Sequence, residues 1–146
     1  MEKKLLILSS AGLQRIIPNT YNEQDEFCFF FGQHEVKMNK IFADFISPLI
    51  SNIHQSDPTI TVYKYPNNYI TQEILDDKIL SYFKSLSIGQ QIEINEQDGK
   101  KLQQLAILIE NNELFQLINK LFLLNTKSND LDEIINFLIL QENINK

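Results

Sequence analysis

The fold is decided by the stretch EFCFFFGQHEVKMNKIFADFISPLI, which covers residues 26–50. It opens with an aromatic run, Glu26–Phe31, that is too short for a helix and is typical of a strand covered on both faces. Gly32 and Gln33 follow, and a glycine in the first position suits a two-residue turn that requires a positive φ. Residues 35–38 alternate between charged and apolar side chains. The stretch therefore predicts a β-hairpin with one solvated face.

Two short helices are predicted directly after the hairpin. Asn39 can cap the first, in which apolar residues recur at helical spacing, namely Ile41, Phe42, Phe45 and Ile46. Ser47 before Pro48 disfavours continued helix, but serine is a good N-cap and proline suits the first helical position. A helix with so many apolar residues presents more apolar surface than one small sheet can cover. We expect this stripe either to lie in the core or to form part of a subunit contact.

More strands and another helix follow toward the middle of the chain. Residues 59–65 are β-branched and aromatic, and they predict a third strand. Thr71 is expected to cap a helix that ends near Gly89, since glycine commonly follows the last turn of a helix. Residues 91–94 then predict a short fourth strand with its isoleucines on one face.

The last part of the chain is predicted to be helical. Asn95 with Asp98 three residues on resembles a capping box, which opens a helix with one apolar side. Further apolar periodicity predicts helices over residues 114–122 and 131–139. Helices outnumber strands along the chain. We therefore predict an α+β fold in which a small sheet packs against several helices.

Composition limits the classes of function. The 146 residues carry 13 Lys and Arg against 19 Asp and Glu, which gives a net charge of −6 and a pI near 4.9. An acidic chain lacks the basic surface that holds a phosphate backbone, so we expect no nucleic acid among its partners. Leu5 to Leu8 are too few for a signal-peptide core, and no apolar run approaches the ~20 residues of a membrane span. We therefore expect no membrane association.

Cysteine and glycine usage exclude several kinds of site. The single cysteine, Cys28, cannot close an intramolecular disulfide, and two histidines with one thiol cannot assemble a four-ligand zinc site. We therefore expect no metal or other cofactor, and a reducing compartment, either the cytoplasm or the nucleus. The four glycines lie far apart in the sequence. This spacing excludes the phosphate-loop and dinucleotide fingerprints.

Each residue that could be catalytic also has an ordinary structural interpretation. A thiol between phenylalanines indicates a buried, structural Cys28. His34 and His54 are expected on the surface, and Asp76 and Asp77 are expected to be solvated because adjacent helix residues point to different faces. We therefore predict that the chain is not an enzyme. A small hydrolase or transferase is a remote alternative, which a ligand or metal in a polar cleft would favour.

The order of these elements and their residues resembles the BTB/POZ domain family. The resemblance covers about residues 24–123: the hairpin and helices of 26–50, the third strand, the Tyr82–Ile94 stretch, and the closing helical pair. The Ala43–Pro48 stretch is most similar to the divergent BTB-like domains that precede ankyrin repeats in protist proteins. The resemblance implies an opening hairpin in a small sheet packed against five to seven helices. It divides the chain into an N-terminal extension (1–20), the domain (21–124) and a C-terminal helix (125–146), which is either a cap or the start of a further helical region.

The resemblance also implies a non-enzymatic interaction module that is commonly a homodimer. The implied dimer interface combines an N-terminal segment that dimeric members exchange between subunits with the apolar helix after the hairpin, that is, Leu5, Leu6, Ile7, Leu8, Ile41, Phe42, Phe45 and Ile46. Glu26 and Lys40 match an acidic and a basic position that form a charged pocket in dimeric members. The alternative is a plain surface pair that contributes under ~1 kcal/mol.

A second kind of binding module follows from the same resemblance. Some members are substrate adaptors for cullin ubiquitin ligases, and the related elongin-C type is a monomeric adaptor. Cullin-binding members often carry a hydrophobic-x-acidic triplet after the second helix. The matching residues here are Ile53 and Gln55, with an amide in place of the carboxylate. The homodimer is therefore the first expectation, and the cullin adaptor is the alternative.

Overall fold

A computed structural model describes residues 2–8 and 11–122 of the chain. The first half contains β1 (Lys3–Leu6), α1 (Ala11–Ile16), β2 (Glu26–Phe31), β3 (His34–Asn39), α2 (Lys40–Ile46) and α3 (Pro48–Ser56). The second half contains β4 (Val62–Tyr65), a π-helical turn (Ile70–Ile74), α4 (Asp77–Ser87), β5 (Ile92–Asn95), α5 (Glu96–Leu108) and α6 (Asn112–Leu121). The fold is mixed α+β, as predicted. The predicted helix over residues 131–139 lies outside the described residues.

The central strand of the larger sheet is β2. The strand order is β3-β2-β4, with β3 antiparallel to β2 and β4 parallel to it. The predicted hairpin is confirmed, because Phe31 pairs with His34 across a two-residue turn and Gly32 has a φ of 63°. A positive φ is strained for residues that carry a Cβ, so glycine is required at this position.

Aromatic side chains on the inner face of β2 form the centre of the core. Phe27, Phe29 and Phe31 are fully buried. The Phe83 ring of α4 packs edge-on against Phe29, with ring centroids 5.2 Å apart, and the Tyr65 ring stacks on Phe31 at 5.0 Å. Edge-on and stacked pairs of this kind add stabilisation beyond the area they bury. The sheet is thereby fixed against α4.

The N-terminal segment, which we define as residues 2–8 and 11–21, packs on the domain. Its strand β1 pairs antiparallel with β5, with Leu6 opposite Ile92, and these two strands form a separate two-stranded sheet. The helix α1 lies against α2. The strand β1 was not predicted as a strand, because a four-residue element is too short to show a period of two.

Side-chain caps define most of the helix starts. The predicted caps are confirmed: Asn39 accepts from the Ile41 amide, Ser47 accepts from the Ile50 amide, and Asn95 with Asp98 forms a full capping box. The predicted cap at Thr71 is wrong. Thr71 is buried within the π-helical turn, and α4 begins only at Asp77, with Asp76 accepting from the Ile79 amide.

Two adjacent phenylalanines test which side chains of β2 face the core. Phe29→Ala removes a fully buried ring and should lower the free energy of unfolding by about 3–5 kcal/mol. Phe30→Ala, the matched control, removes a half-buried ring on the outer face and should cost about 1 kcal/mol. Urea denaturation measures both. A larger loss for the Phe30 variant would mean that the strand register is shifted by one residue.

Candidate functional site

An apolar groove of about 370 Å³ opens between α1, α2 and the end of α4. The groove is lined mainly by aliphatic and aromatic side chains, namely Leu8, Leu13, Ile16, Ile41, Phe42, Phe45, Ser87, Ile88 and Gly89. The groove exists because the core covers only part of the apolar stripe of α2. The last two members of the stripe, Phe45 and Ile46, are buried, whereas Ile41 and Phe42 are only half-buried.

The groove and the N-terminal segment carry most of the exposed apolar surface. Of the seven large apolar side chains that are exposed in the described part of the chain, five belong to these two regions, namely Leu5, Ile7, Leu13, Ile17 and Ile88. Ile17 is 75% exposed and Leu5 is 58% exposed. Two of the five, Leu13 and Ile88, line the groove itself. Single exposed apolar residues are common, but exposed apolar side chains that line a groove are the pattern of an interaction site.

The single chain encloses half of the residues predicted for the dimer interface. Leu6, Leu8, Phe45 and Ile46 are buried within their own chain, because β1 alternates inward and outward and the end of α2 turns into the core. Leu5 and Ile7 are exposed on the outer face of the N-terminal segment. Together with the half-buried Ile41 and Phe42, these are the predicted residues that offer apolar surface to a partner.

The predicted charged pair between Glu26 and Lys40 does not form. Both residues line one polar cleft of about 550 Å³. The Lys40 ammonium donates to the Pro58 carbonyl at 3.0 Å, and the cation beside Glu26 is Lys37, at 3.9 Å. Lys40 begins α2 and extends toward the turn after α3, whereas Lys37 lies on the same outer face of the sheet as Glu26. Glu26 therefore pairs with the cation of the neighbouring strand, Lys37, and not with Lys40 of α2.

The residues predicted for a cullin contact lie on α3. Ile53 is half-buried and packs against the core, and Gln55 is exposed. Exposed Gln55 offers an amide, not a carboxylate. The position carries no charge of its own.

Arg15 joins α1 to the C-terminal end of α2. In a continuous helix the Asp44 carbonyl would accept from residue 48, but Pro48 has no N–H. The Arg15 Nε donates to that carbonyl at 3.0 Å, and a second guanidinium nitrogen donates to the Phe45 carbonyl. Burial lowers the pKa of Arg15, against the opposing effect of the Glu113 and Asp44 carboxylates. Arg15 therefore replaces the one donor that the proline removed and also bonds to the Phe45 carbonyl, because the Leu49 amide that a continuous helix would direct at it bonds to the Ile109 carbonyl instead.

Gly12 allows α1 to approach α2 closely. A Cβ at this position would lie 2.5 Å from the Phe45 ring and 2.7 Å from the Phe45 carbonyl oxygen. Neither distance is tolerable, and the carbonyl belongs to a packed helix and cannot move aside. Glycine is therefore needed for the groove to have its α1 wall.

A buried polar cluster joins the chain after α1 to α2 and α3. The Asp44 carboxylate is 1% exposed and accepts from the Tyr21 hydroxyl at 2.7 Å. Its other oxygen lies 2.5 Å from Nδ1 of His54, and Nε2 of His54 lies 2.8 Å from the Ile60 carbonyl. Burial, together with the hydrogen bond to Asp44, raises the pKa of Tyr21 to about 12. The cluster ties the N-terminal segment to α2 and α3.

The expectation that His54 lies on the surface is wrong, since the residue is 6% exposed. Sequence reasoning also missed Arg15, Tyr21 and Asp44 as a connected group. One signal was present, because Asp44 is a charged residue between the apolar Ala43 and Phe45 of a short helix. A carboxylate in such a position needs a partner.

The chemistry available in the described residues is limited. An Asp-His pair can serve as a general base only through its free ring nitrogen, but Nε2 of His54 is occupied by a main-chain carbonyl. Burial, helped by the nearby Glu35, raises the pKa of the Cys28 thiol and so disfavours the nucleophilic thiolate. Within residues 2–8 and 11–122, no three His, Cys, Asp or Glu side chains are grouped so that they could hold a metal ion.

Among the helices of the described residues, none has both the length and the apolarity to cross a membrane. Comparison of the chain with protein-family models, with curated proteins and with solved structures finds no match.

Replacing Arg15 tests the link between α1 and α2. Arg15→Met keeps the apolar stem but removes both donors, so the free energy of unfolding should fall by about 1–3 kcal/mol because buried carbonyls lose their partners. Gln14→Met, at an exposed position of the same helix, should change it by less than about 0.5 kcal/mol. Chemical denaturation compares the two. Equal losses would show that Arg15 is not a specific anchor.

Tyr21 should make stability depend on pH in the alkaline range. Its pKa in the folded chain, about 12, exceeds the unfolded value of about 10. The folded state therefore keeps a proton that the unfolded state loses, and this contribution is complete below about pH 10 and is lost toward about pH 12. Tyr21→Phe should lose less stability than the parent chain across this interval in urea titrations. The exposed Tyr69→Phe should behave like the parent, and an identical decline in all three chains would contradict the assignment.

Proposed function

We propose that the chain is a non-enzymatic protein-interaction module of the BTB/POZ type that self-associates through the apolar groove and the N-terminal segment. The observation that carries this proposal is the groove itself, which includes the exposed Leu13 and Ile88 in its apolar lining. A second copy that covered these side chains would remove their apolar surface from water. This burial would stabilise the dimer by roughly 25 cal/mol for each Å² of apolar surface.

The location of the groove supports self-association in particular. Its lining includes Leu8 and three residues of the α2 stripe, Ile41, Phe42 and Phe45, which the resemblance assigns to a dimer interface, and α1 forms the opposite wall. In a symmetric dimer the same patch of both copies would meet, so one apolar patch is sufficient to form the contact. Ile41 and Phe42 would lie near its centre, with Leu13 and Ile88 beside them.

The order of elements is a further support. The β2–β3 hairpin leads into two helices, a parallel third strand, another helix, the short β5 and the α5–α6 pair. This is the order that the resemblance implies over residues 24–123. The β1–β5 pairing within one chain is also compatible with exchange, since the same strand could pair with β5 of a second copy.

Two alternatives have less support. A monomeric elongin-C-like or cullin adaptor needs a contact on α3, where Gln55 offers no charge and Ile53 is half-buried. A small hydrolase or transferase needs a reactive group, yet burial raises the pKa of Cys28 and Ile60 occupies Nε2 of His54. Neither arrangement provides the chemistry that its function requires, so self-association is the better supported function.

A charge placed in the groove tests the proposal. Leu13→Asp introduces a carboxylate at a position that is 48% exposed in the groove, and it should raise the dimer dissociation constant by about a hundredfold. Val62→Asp, the matched control, alters a residue on β4 outside the groove that is 39% exposed. Sedimentation equilibrium over a micromolar range measures both variants, and thermal melts verify that each is folded.

The proposal fails if the parent chain sediments as a monomer throughout that range. It also fails if Val62→Asp dissociates the dimer and Leu13→Asp does not.

A further inference from the structure

The apolar groove has room for part of a polypeptide. Seven of its nine lining residues are aliphatic or aromatic and none is charged, and Leu13 and Ile88 in the lining are nearly half exposed. A cavity of about 150 Å³ holds one benzene-sized group, so a groove of about 370 Å³ accommodates about two or three apolar side chains. An occupant that presents several apolar side chains from one face, such as an amphipathic helix, fits this site.

The C-terminal segment, which we define as residues 123–146, carries an apolar stripe of this kind in its sequence. The segment lies outside the described residues. Apolar side chains recur in it at the spacing of one helical face, namely Leu131, Ile134, Ile135, Leu138 and Ile139. Asp132, Glu133 and Asn136 stand between them. Residues spaced in this way are the anchors with which an amphipathic helix enters an apolar groove.

The C-terminal segment starts about one helix length from the two helices that line the groove. α6 begins beside them, because the Asn111 side chain donates to the Ile46 carbonyl of α2 at 2.8 Å and the Glu113 carboxylate acts on Arg15 of α1. The ten residues of α6 extend for about 15 Å. The eight residues 123–130 span up to about 26 Å when they are extended. A helix that starts near residue 131 can therefore return alongside α6 to the groove.

Attachment to the domain favours this segment over a separate peptide as the occupant. A short linker holds an attached segment at an effective concentration on the order of millimolar around its own chain. A contact that is too weak to form between separate molecules at micromolar concentration therefore still fills the groove in many of the chains.

We propose that residues 131–139 dock as a helix in the apolar groove of their own chain and compete there with a second copy. The effect on self-association rests on the proposed function, whereas the docking does not. A second copy also covers the N-terminal segment, so it can displace the C-terminal segment, and the competition weakens the dimer without preventing it. Both copies must have a free groove. A groove that is free in about a third of the chains therefore raises the dimer dissociation constant about tenfold.

A spin label on the C-terminal segment tests where it docks. The full chain carries Cys28→Ala, so that a nitroxide attached at Asn143→Cys is the single label. The methyl groups of Leu13 and Ile88 report on the groove, and those of Val62, on β4 outside the groove, are the control. The nitroxide should broaden the methyl NMR signals of Leu13 and Ile88 more strongly than those of Val62.

Isotope mixing separates docking within one chain from docking between chains. Chains with isotope-labelled methyl groups and no nitroxide are mixed with nitroxide-carrying chains of natural isotopic composition. The groove methyl signals should be broadened less in this mixture than in a chain that carries its own nitroxide.

Two substitutions at adjacent positions of the segment complete the test. Ile135→Asp places a carboxylate on the stripe, whereas Asn136→Asp, the matched control, places the same charge beside it. Ile135→Asp should remove the broadening of the groove methyl signals and lower the dimer dissociation constant about tenfold in sedimentation equilibrium. Asn136→Asp should leave both as they are in the parent chain.

The docking is overturned by groove methyl signals that are broadened no more than those of Val62, or by equal broadening in the mixture. It is also overturned if Ile135→Asp keeps the broadening of the parent chain. If Ile135→Asp removes the broadening and leaves the dissociation constant unchanged, the competition is overturned. A chain that stays monomeric with either residue at position 135 would instead overturn the proposed self-association, and the broadening would still decide whether the segment docks.

Discussion

The break between α2 and α3 at Pro48 is the constraint on which the rest of the structure depends. It ends α2 after seven residues and leaves buried carbonyls without helical donors. Arg15 bonds to two of them, and the Asn111 side chain donates to the Ile46 carbonyl at 2.8 Å while its oxygen caps α6. The beginning and the end of the domain are thus joined at one helix terminus. Ser47 completes the junction, because its hydroxyl donates to the Ile109 carbonyl at 3.1 Å and caps α3.

The same junction explains why α2 contributes both to an apolar groove, through Phe45, and to a buried polar cluster, through Asp44. A short helix with a wide apolar stripe can turn its last residues, such as Phe45, into the core while its first residues stay near the surface. α1 crosses α2 at Gly12, and Arg15 holds it there through hydrogen bonds to α2 carbonyls. Polar anchoring leaves the apolar side chains of α1 and α2 free to face outward. Hydrogen bonds therefore hold the α1 wall of the groove in place, and the exposed Leu13 in that wall stays in contact with solvent.

Features governed by local chemistry were predictable from the sequence, and features governed by long-range contacts were not. The β2–β3 turn at Gly32 and the caps at Asn39 and Ser47 depend on residues within three positions, and all three were predicted. His54 was misplaced because its burial depends on Asp44, Tyr21 and the chain near Ile60, which come together only in the folded chain. Thr71 has cap chemistry, but it uses that chemistry to hold a π-helical turn, with its hydroxyl donating to the Pro66 carbonyl at 3.0 Å. At this position tertiary packing overrides the tendency of threonine to cap a helix.

The pairing of β1 with β5 has a consequence for the order of events during synthesis. Lys3 lies opposite Asn95, so β1 must wait for its partner until the ribosome has made β5, about 90 residues later. Closing so long a loop is entropically costly, and such contacts form late. The nascent chain therefore carries β1 unpaired until β5 has been made. Chaperones that recognise extended apolar segments can therefore reach residues 5–8 throughout that interval.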